Sequence, residues 1–164
     1  MKDKLLSKQG WVILLICIIS FFINNRVVVP DIMEARNMVT AREMVHDGNW
    51  LVPTMNGDLR LEKPPLPTWL TAVAEMISPD NLALQRAMAG FAAILLVAFF
   101  YLTAVQVMRN KRYAFISTIL LCTCYNIILM GRTASWDIYC HAFMMGAIYF
   151  LIRAFAALSL IHIS

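Results

Sequence analysis

Four long apolar runs, separated by polar segments, dominate the pattern of this chain. They cover about residues 11–29, 87–107, 113–130 and 138–157. The first run reaches residue 29 only if the polar stretch Asn24-Asn25-Arg26 is included. Each run approaches the roughly 20 residues that an α-helix needs to cross the hydrocarbon core of a membrane. The pattern therefore predicts an all-α integral membrane protein with four transmembrane helices.

Basic residues at the ends of the apolar runs predict the orientation of the chain. They lie before the first run, between the second and third, and within the fourth: Lys2, Lys4, Lys8, Arg109, Lys111, Arg112 and Arg153. The positive-inside rule places these clusters, and with them the N-terminus, on the cytoplasmic side. The loop of residues 28–86 and the turn of residues 131–137 then share the outer side. This orientation brings two segments that are distant in sequence to one membrane surface.

The long outer loop carries signals for its own secondary structure. Asp31 and Glu34 fit the start of a helix over residues 33–47, which would end at Gly48. Asn56-Gly57 is typical of a tight hairpin turn, and residues 67–77 favour a second short helix. We expect the two helices to lie along the membrane interface, with Trp50 and Trp69 as anchors.

Composition and charge narrow the function classes. Of the 164 residues, 60% are hydrophobic and 15% are charged, which excludes an ordinary soluble domain of this size. The net charge of +4 comes from scattered residues, so it does not indicate nucleic-acid binding. The four cysteines lie within or beside apolar runs and form no Cys-x-x-Cys pair, so we interpret them as small packing residues.

The segment Leu61-Glu62-Lys63-Pro64-Pro65 is the strongest candidate for chemistry. Each proline fixes φ and favours an extended preceding residue, so the neighbouring carboxylate and ammonium lie on a stiff segment. A solvated charge pair would not need this stiffness. If the loop meets the membrane surface, the two charges face a place where a lipid phosphate or a metal could bind.

Two other places supply candidate carboxylates. Asp31 and Glu34 follow the first run, and each is either a helix-terminal charge or a site residue acting as base or metal ligand. Arg36 lies near enough to the loop start to meet an anionic headgroup, whereas we expect Arg42 to pair with a local acid. Asp137 opens the fourth run, where a carboxylate is either a helix N-terminal charge or faces a cavity.

His141 lies one turn after Asp137 on the same helix face. It is either a partner of Asp137 or, as we expect, a histidine satisfied within the helix.

These residues, in this order, resemble the polyprenyl-phosphate-dependent glycosyltransferases of the C-type fold. The resemblance is to the bacterial branch that contains lipid A aminoarabinose transferases and protein O-mannosyltransferase-like enzymes. It rests on matching strings across most of residues 30–140: Met33-Glu34-Ala35-Arg36, Ala41-Arg42-Glu43-Met44, Gly48-Asn49-Trp50-Leu51-Val52-Pro53, Asn56-Gly57, Leu61-Glu62-Lys63-Pro64-Pro65 and Gly131-Arg132-Thr133-Ala134-Ser135-Trp136-Asp137.

The resemblance implies roles for individual residues. Glu62 is implied to bind a divalent metal, and Lys63 and Arg36 to contact the donor phosphate. Asp137 matches the acidic residue of the later outer loop. The family has an Asp-Glu pair in the first loop, but Met33 stands where the Asp is usual, which leaves Glu34, with Asp31 as its substitute, for the acidic role.

The resemblance also implies that residues 1–157 are the N-terminal part of a larger multi-span bundle in the bacterial inner membrane. Residues 158–164 resemble the translated end of a sequencing adapter, so we expect a non-native tail there. The fragment alone is expected to be inactive.

The function implied is transfer of a sugar from a polyprenyl-phosphate donor to a lipid (lipid A-like), glycan or protein acceptor on the outer face. A non-catalytic four-span scaffold or assembly protein is the alternative, and it expects the outer-loop charges to be solvated and replaceable. A transporter fragment is a third option, but the second and third runs carry no charged residue in their interiors.

Overall fold

The computed structural model describes residues 8–161, with side chains described up to Leu158. It has seven helices and one hairpin within that range: α1 Lys8–Phe22, α2 Ile32–Asp47, β1 Thr54–Met55, β2 Asp58–Leu59, α3 Pro65–Ile77, α4 Leu82–Met108, α5 Lys111–Cys122, α6 Tyr125–Gly131 and α7 Asp137–Ile161. The predicted basic residues Lys2 and Lys4, and the last three residues of the predicted tail, lie outside the described residues.

A bundle of α1, α4, α5, α6 and α7 forms the larger part of the fold, with α4 at its centre. The core contains Phe21 of α1, Val97 of α4, Cys122 of α5 and Ile138 of α7, all at most 1% exposed. Small residues on α4 let its neighbours approach closely: a Cβ added to Gly90 would lie 2.9 Å from the Phe22 ring. The extensive contact between α4 and α7 completes the bundle.

The loop between α1 and α4 folds into a cap made of α2, the hairpin and α3. The side chain of Asp31 accepts a hydrogen bond from the Glu34 N–H at 2.7 Å and starts α2, and Gly48 ends it with φ of 74°. Asn56 and Gly57 form the hairpin turn with positive φ at both positions. Both loop helices and the hairpin are thus confirmed, with α3 beginning two residues earlier than predicted.

The two tryptophans that we expected as membrane anchors pack within this cap. The Trp69 Nε1–H donates to the Trp50 carbonyl at 2.8 Å, and both side chains lie against Ala41, Met44 and Ala72. The cap is therefore a small packed unit in which α2 and α3 share an apolar contact.

Two of the four predicted spans differ from prediction. The first described helix ends at Phe22, not at residue 29, because Asn24 adopts the left-handed conformation with φ of 55° and Arg26 bonds to Asn81. The third is not continuous: α5 and α6 meet at a 65° bend. The break lies at Thr123, whose hydroxyl bonds back to the carbonyl of Ile119, and at Cys124, which is extended.

Two described helices, α4 and α7, are long and apolar enough to cross a membrane, and the bent α5–α6 pair would make a third. Among the described residues α1 forms a shorter apolar helix of 15 residues, so the predicted count of four is not confirmed. The fourth predicted span is a single helix that begins at Asp137.

The bent pair still returns the chain to the end of the bundle where α4 began. Arg86 lies in the first turns of α4 beside Glu34, and the helix then rises about 33 Å to Met108. After α6, the Ala134 N–H donates to the same Glu34. The prediction that the long loop and residues 131–137 meet at one end of the molecule is confirmed.

Candidate functional site

One face of α2 holds the segment between α6 and α7 in place. Glu34 and Asn37 are three residues apart, so their side chains lie on the same helix face. Glu34 Oε1 accepts from the Ala134 N–H at 2.8 Å, and Asn37 Nδ2 donates to the Ala134 carbonyl at 2.7 Å. Both backbone polar groups of Ala134 are therefore bound by α2, which fixes the position of the residues that follow it.

Glu34 is also half of a buried ion pair. Arg86 Nε and Nη2 donate to the two Glu34 oxygens at 2.7 Å each, and Arg86 Nη1 donates to the Asn25 carbonyl. The Glu34 and Arg86 side chains are 0% and 1% exposed. A bidentate pair with further hydrogen bonds is the arrangement that lets two charges be buried together. This arrangement joins α2, α4 and the turn that follows α1 at one point.

Asn37 extends the same network to α3. Its Oδ1 accepts from Thr68 Oγ1 at 2.8 Å, and its Nδ2 donates to Thr71 Oγ1 at 3.0 Å. The amide thereby uses both its donor and its acceptor while 0% exposed, as a buried amide must. The helix that follows the Glu62-Lys63 segment is thus fixed to α2.

Arg60 fixes the start of that segment. Its Nη1 donates to the Arg36 carbonyl at 2.6 Å and to Thr40 Oγ1 at 2.7 Å, and its backbone N–H donates to the Pro53 carbonyl at 2.8 Å. Burial lowers the pKa of Arg60, and Arg36 lowers it further, while Glu62 raises it. The guanidinium remains a cation because its ordinary pKa is above 12.

Trp136 lies beneath two cations of this segment. The centre of its ring is 5.1 Å from Arg60 Cζ and 5.4 Å from Lys63 Nζ, within the range of cation–π attraction. The indole is 5% exposed, and its Nε1–H has no hydrogen-bond partner in the part of the chain that the structure describes. The loop after α6 and the Glu62-Lys63 segment therefore meet at this ring.

A polar cavity of about 180 Å³ opens beside Arg60. Arg36 and Glu62 both line it, together with Asp58 and Asn56 of the hairpin. The hairpin is itself fixed to α2, because Glu43 accepts from Thr54 Oγ1 at 2.7 Å. Two of the predicted site residues, Arg36 and Glu62, thus share one cavity.

The predicted carboxylates occupy three different environments. Asp31 caps α2, as one of its two interpretations predicted. Glu34 is buried against Arg86, whereas Asp137 is exposed at the start of α7, directly after Trp136. Within residues 8–161 no hydrogen bond or ion pair joins the Asp137 carboxylate to Glu34, Glu62 or Lys63. The structure therefore connects Glu34 and Lys63 through residues 134–136 and places Asp137 next to them in sequence.

Two further expectations are confirmed. Arg42 pairs with acids near it in space, Glu75 at 3.7 Å and Asp80. His141 Nδ1 is 2.6 Å from the Asp137 backbone carbonyl, to which it donates, so it is satisfied within its own helix.

The predicted metal site does not assemble from the described residues alone. No group of three His, Cys, Asp or Glu side chains that could hold a metal ion occurs among them. Glu62 and Asp58 share a cavity, but Arg36 and Arg60 line it too. Two carboxylates beside two guanidiniums do not fit the six or more oxygen ligands of Ca²⁺ or Mg²⁺. Metal binding by Glu62 stays a prediction.

Sequence reasoning missed four residues that build this site: Asn37, Arg60, Arg86 and Trp136. One signal was available for Arg86, since an arginine at the start of a long apolar run must find a partner. Trp136 lay inside a string that carried the resemblance, but no pattern in the sequence shows which cations contact its ring.

Comparison with known proteins agrees with the resemblance seen in the sequence. Residues 10–161 match the family described as dolichyl-phosphate-mannose-protein mannosyltransferase. The undecaprenyl phosphate-α-4-amino-4-deoxy-L-arabinose arabinosyl transferase of Pseudomonas savastanoi pv. phaseolicola is 34% identical over 92 residues, 56% of this chain and 17% of that protein. The enzyme of the same name from Shewanella sediminis is 31% identical over 108 residues, 66% of this chain and 19% of that protein.

A solved structure shares the fold. The crystal structure of ArnT from Cupriavidus metallidurans bound to undecaprenyl phosphate superposes with a TM-score of 0.72 at 20% identity, over 89% of this chain and 27% of that one. The chain spans less than a fifth of the length of the two curated relatives. Since the family match covers nearly all of the described residues, the chain belongs to the dolichyl-phosphate-mannose-protein mannosyltransferase family.

Proposed function

We propose that this chain is the N-terminal part of a membrane glycosyltransferase. The enzyme moves a sugar from a polyprenyl-phosphate donor to a lipid, glycan or protein acceptor on the outer face of the bacterial inner membrane. Family membership and the names of the relatives support this activity, and the apolar helices support the membrane location. A lipid A-like acceptor is the first to test.

The placement of three cations carries the proposal. Arg36, Arg60 and Lys63 lie in the cap, at the end of the bundle where α4 begins. A lipid-linked phosphate keeps its hydrocarbon tail in the membrane and its charge at the surface, so it meets the protein at such an end. The scaffold alternative expects solvated outer-loop charges, and Arg36, Glu62 and Lys63 are exposed, whereas Glu34, Arg60 and Arg86 are buried.

The chemistry needs a cation at the leaving group. In the transfer, the bond from the anomeric carbon to the phosphate oxygen breaks, and a bond to the acceptor oxygen forms. The electron pair of the broken bond stays on the phosphate, whose negative charge increases. Lys63 and Arg36 stabilise that charge, which lowers the barrier because it develops in the transition state.

An acceptor hydroxyl must also lose its proton. Asp137, an exposed carboxylate that directly follows Trp136, takes the role of base. Asp31 and Glu34 are bound to the backbone and to Arg86, so they position the site in this proposal. A phosphate acceptor would already be ionised and would need no base.

Replacing Lys63 tests the proposal. The protein encoded by the complete reading frame that contains this chain is purified in detergent. It is given an undecaprenyl-phosphate-linked aminoarabinose with lipid A as the acceptor, and release of undecaprenyl phosphate is measured. We expect Lys63→Ala to lower kcat/KM by about 10- to 100-fold, because a charge-assisted contact with the phosphate is lost.

Lys111→Ala is the matched control, since Lys111 begins α5 at the opposite end of α4. It should transfer sugar at the wild-type rate. Wild-type enzyme that transfers no sugar from any polyprenyl-phosphate donor would overturn the proposed function. Equal rates for Lys63→Ala and wild type would remove Lys63 from the site.

A further inference from the structure

The ring of Trp136 lies against two cations of the same stiff segment. A tryptophan that only fills the core would not need these cations. Arg60 and Lys63 approach it from residues 60–63, and both are within 5.5 Å of its centre. Arg60 has other partners, the Arg36 carbonyl and Thr40 Oγ1. For Lys63, the structure gives no carboxylate partner among residues 8–161. The indole is therefore the group that locates the Lys63 ammonium.

Trp136 is itself held firmly. Ala134, two residues earlier, has both backbone groups bound by Glu34 and Asn37, and the Trp136 carbonyl accepts from Cys140 N–H in the first turn of α7. Its ring lines a small pocket with Thr40, Thr68 and Pro65. The ring position is thus set by α2, α3 and α7 together.

A ring face is well suited to holding a lysine that must bind phosphate. A carboxylate partner would neutralise the ammonium and compete with the phosphate for its protons. The negative face of an indole attracts the cation without accepting a conventional hydrogen bond, so the three N–H donors stay available. It also offsets part of the repulsion between the exposed Lys63 and Arg60, a buried like charge that contacts the same ring.

We propose that Trp136 is a positioning residue for the donor phosphate, which acts through Lys63. The inference rests on the proposed function and adds a specific element to it: the loop before α7 sets the place of the phosphate-binding cation on the loop before α3. Trp136 itself does not touch the substrate in this proposal.

A double-mutant cycle tests it on the complete enzyme. Binding of undecaprenyl phosphate and sugar transfer are measured for Trp136→Leu, Lys63→Ala and the double variant. We expect Trp136→Leu to weaken binding of undecaprenyl phosphate about two- to fivefold, the range for a cation–π contact with an exposed ammonium. In the Lys63→Ala background the same change should have less than a twofold effect, because the residue through which it acts is gone.

Two further variants separate positioning from folding. Trp136→Phe keeps a ring face and should restore most of the binding lost in Trp136→Leu, although it leaves a smaller ring. Trp11→Leu removes an exposed tryptophan of α1 and should bind like wild type. If Trp136→Leu does not fold, Trp136→Met, whose longer and flexible side chain fills irregular gaps but has no ring face, takes its place in the cycle with and without Lys63→Ala.

The outcomes are distinct. The positioning role would be overturned if the double variant lost binding by the full product of the two single losses. Unchanged binding in Trp136→Leu would overturn it too. In both cases the enzyme could still transfer sugar. A wild-type enzyme that neither binds undecaprenyl phosphate nor transfers sugar would overturn the proposed function, and the positioning role with it.

Discussion

At the scale of the residue, carboxylate side chains serve different purposes according to their surroundings. Asp31 caps a helix, Glu34 is buried in an ion pair, and Asp137 is exposed at the start of α7. From the sequence alone, Asp31 and Glu34 could each be a helix-terminal charge, a base or a metal ligand. For Glu34, burial and partners decide, because a carboxylate with both oxygens bound and no solvent access is poorly placed to take a proton. Asp31 is exposed, and its Oδ1 caps α2.

The buried ion pair should be necessary for stability. We expect Glu34→Gln to lower the free energy of unfolding by about 3–5 kcal/mol, because Arg86 would keep its charge without a partner. Thermal unfolding in detergent measures the loss. Asp80→Asn, which removes a partner of Arg42 from an exposed pair, should have a much smaller effect.

Replacing both members of the pair should cost less than the sum of the single changes. Glu34→Gln with Arg86→Gln leaves no buried charge, so part of the stability should return. Equal unfolding temperatures for Glu34→Gln and wild type would show that the pair does not stabilise the fold.

At the scale of the element, helix ends and turns follow local rules, while breaks and close contacts do not. Gly48 ends α2 and Asn56-Gly57 turns the hairpin, as their residue types predict. The bend between α5 and α6 was not predicted, because residues 113–130 carry no charged residue, proline or glycine that would mark a break. Packing of both halves against α4 accompanies the broken shape.

Gly131 offers a test of this packing. A Cβ at its position would lie 2.6 Å from Phe21 Cδ1 and 3.0 Å from Ala93 Cβ, closer than side chains tolerate. We expect Gly131→Ala to destabilise the bundle by about 1–3 kcal/mol through overpacking. The unfolding temperature in detergent is the measurement, and Phe21→Leu in the same background should restore part of the lost stability. A fully stable Gly131→Ala would show that α1 and α6 do not pack as described.

At the scale of the whole molecule, an apolar bundle carries a polar cap at one end. The cap joins the bundle through buried polar contacts: Glu34 with Arg86 and Ala134, and Asn37 with Ala134. The cap and the loop before α7 therefore form one rigid end. Rigidity there suits the proposed transfer site, whose charged groups would have to stay within a fraction of an ångström of the transferred group.

The orientation of this end is a prediction of the charge pattern. In a background with the exposed Cys124 and Cys140 replaced by Ser, a cysteine at Asn56 should react with an impermeant reagent in intact cells. A cysteine at Asn110, beside three basic residues, should react only after the membrane is opened. Labelling of position 110 but not 56 in intact cells would place the cap in the cytoplasm.

The sequence by itself determined the features that depend on neighbours along the chain. These are the apolar helices, the caps of α2, the hairpin turn, the stiff Glu62-Lys63 segment and the family. Each depends on a few consecutive residues or on one helical period, so the information is local.

Only the tertiary structure decided which distant groups meet. Glu34 binds Arg86, which is 52 residues away in sequence, and Ala134, which is 100 residues away. Trp136 contacts Arg60 and Lys63, which belong to a different loop. Buried charges and amides must have partners, but the sequence allows many different pairings that would satisfy them. Which pairing occurs is set by how α2, α3 and α4 pack together, and that packing is a property of the folded chain as a whole.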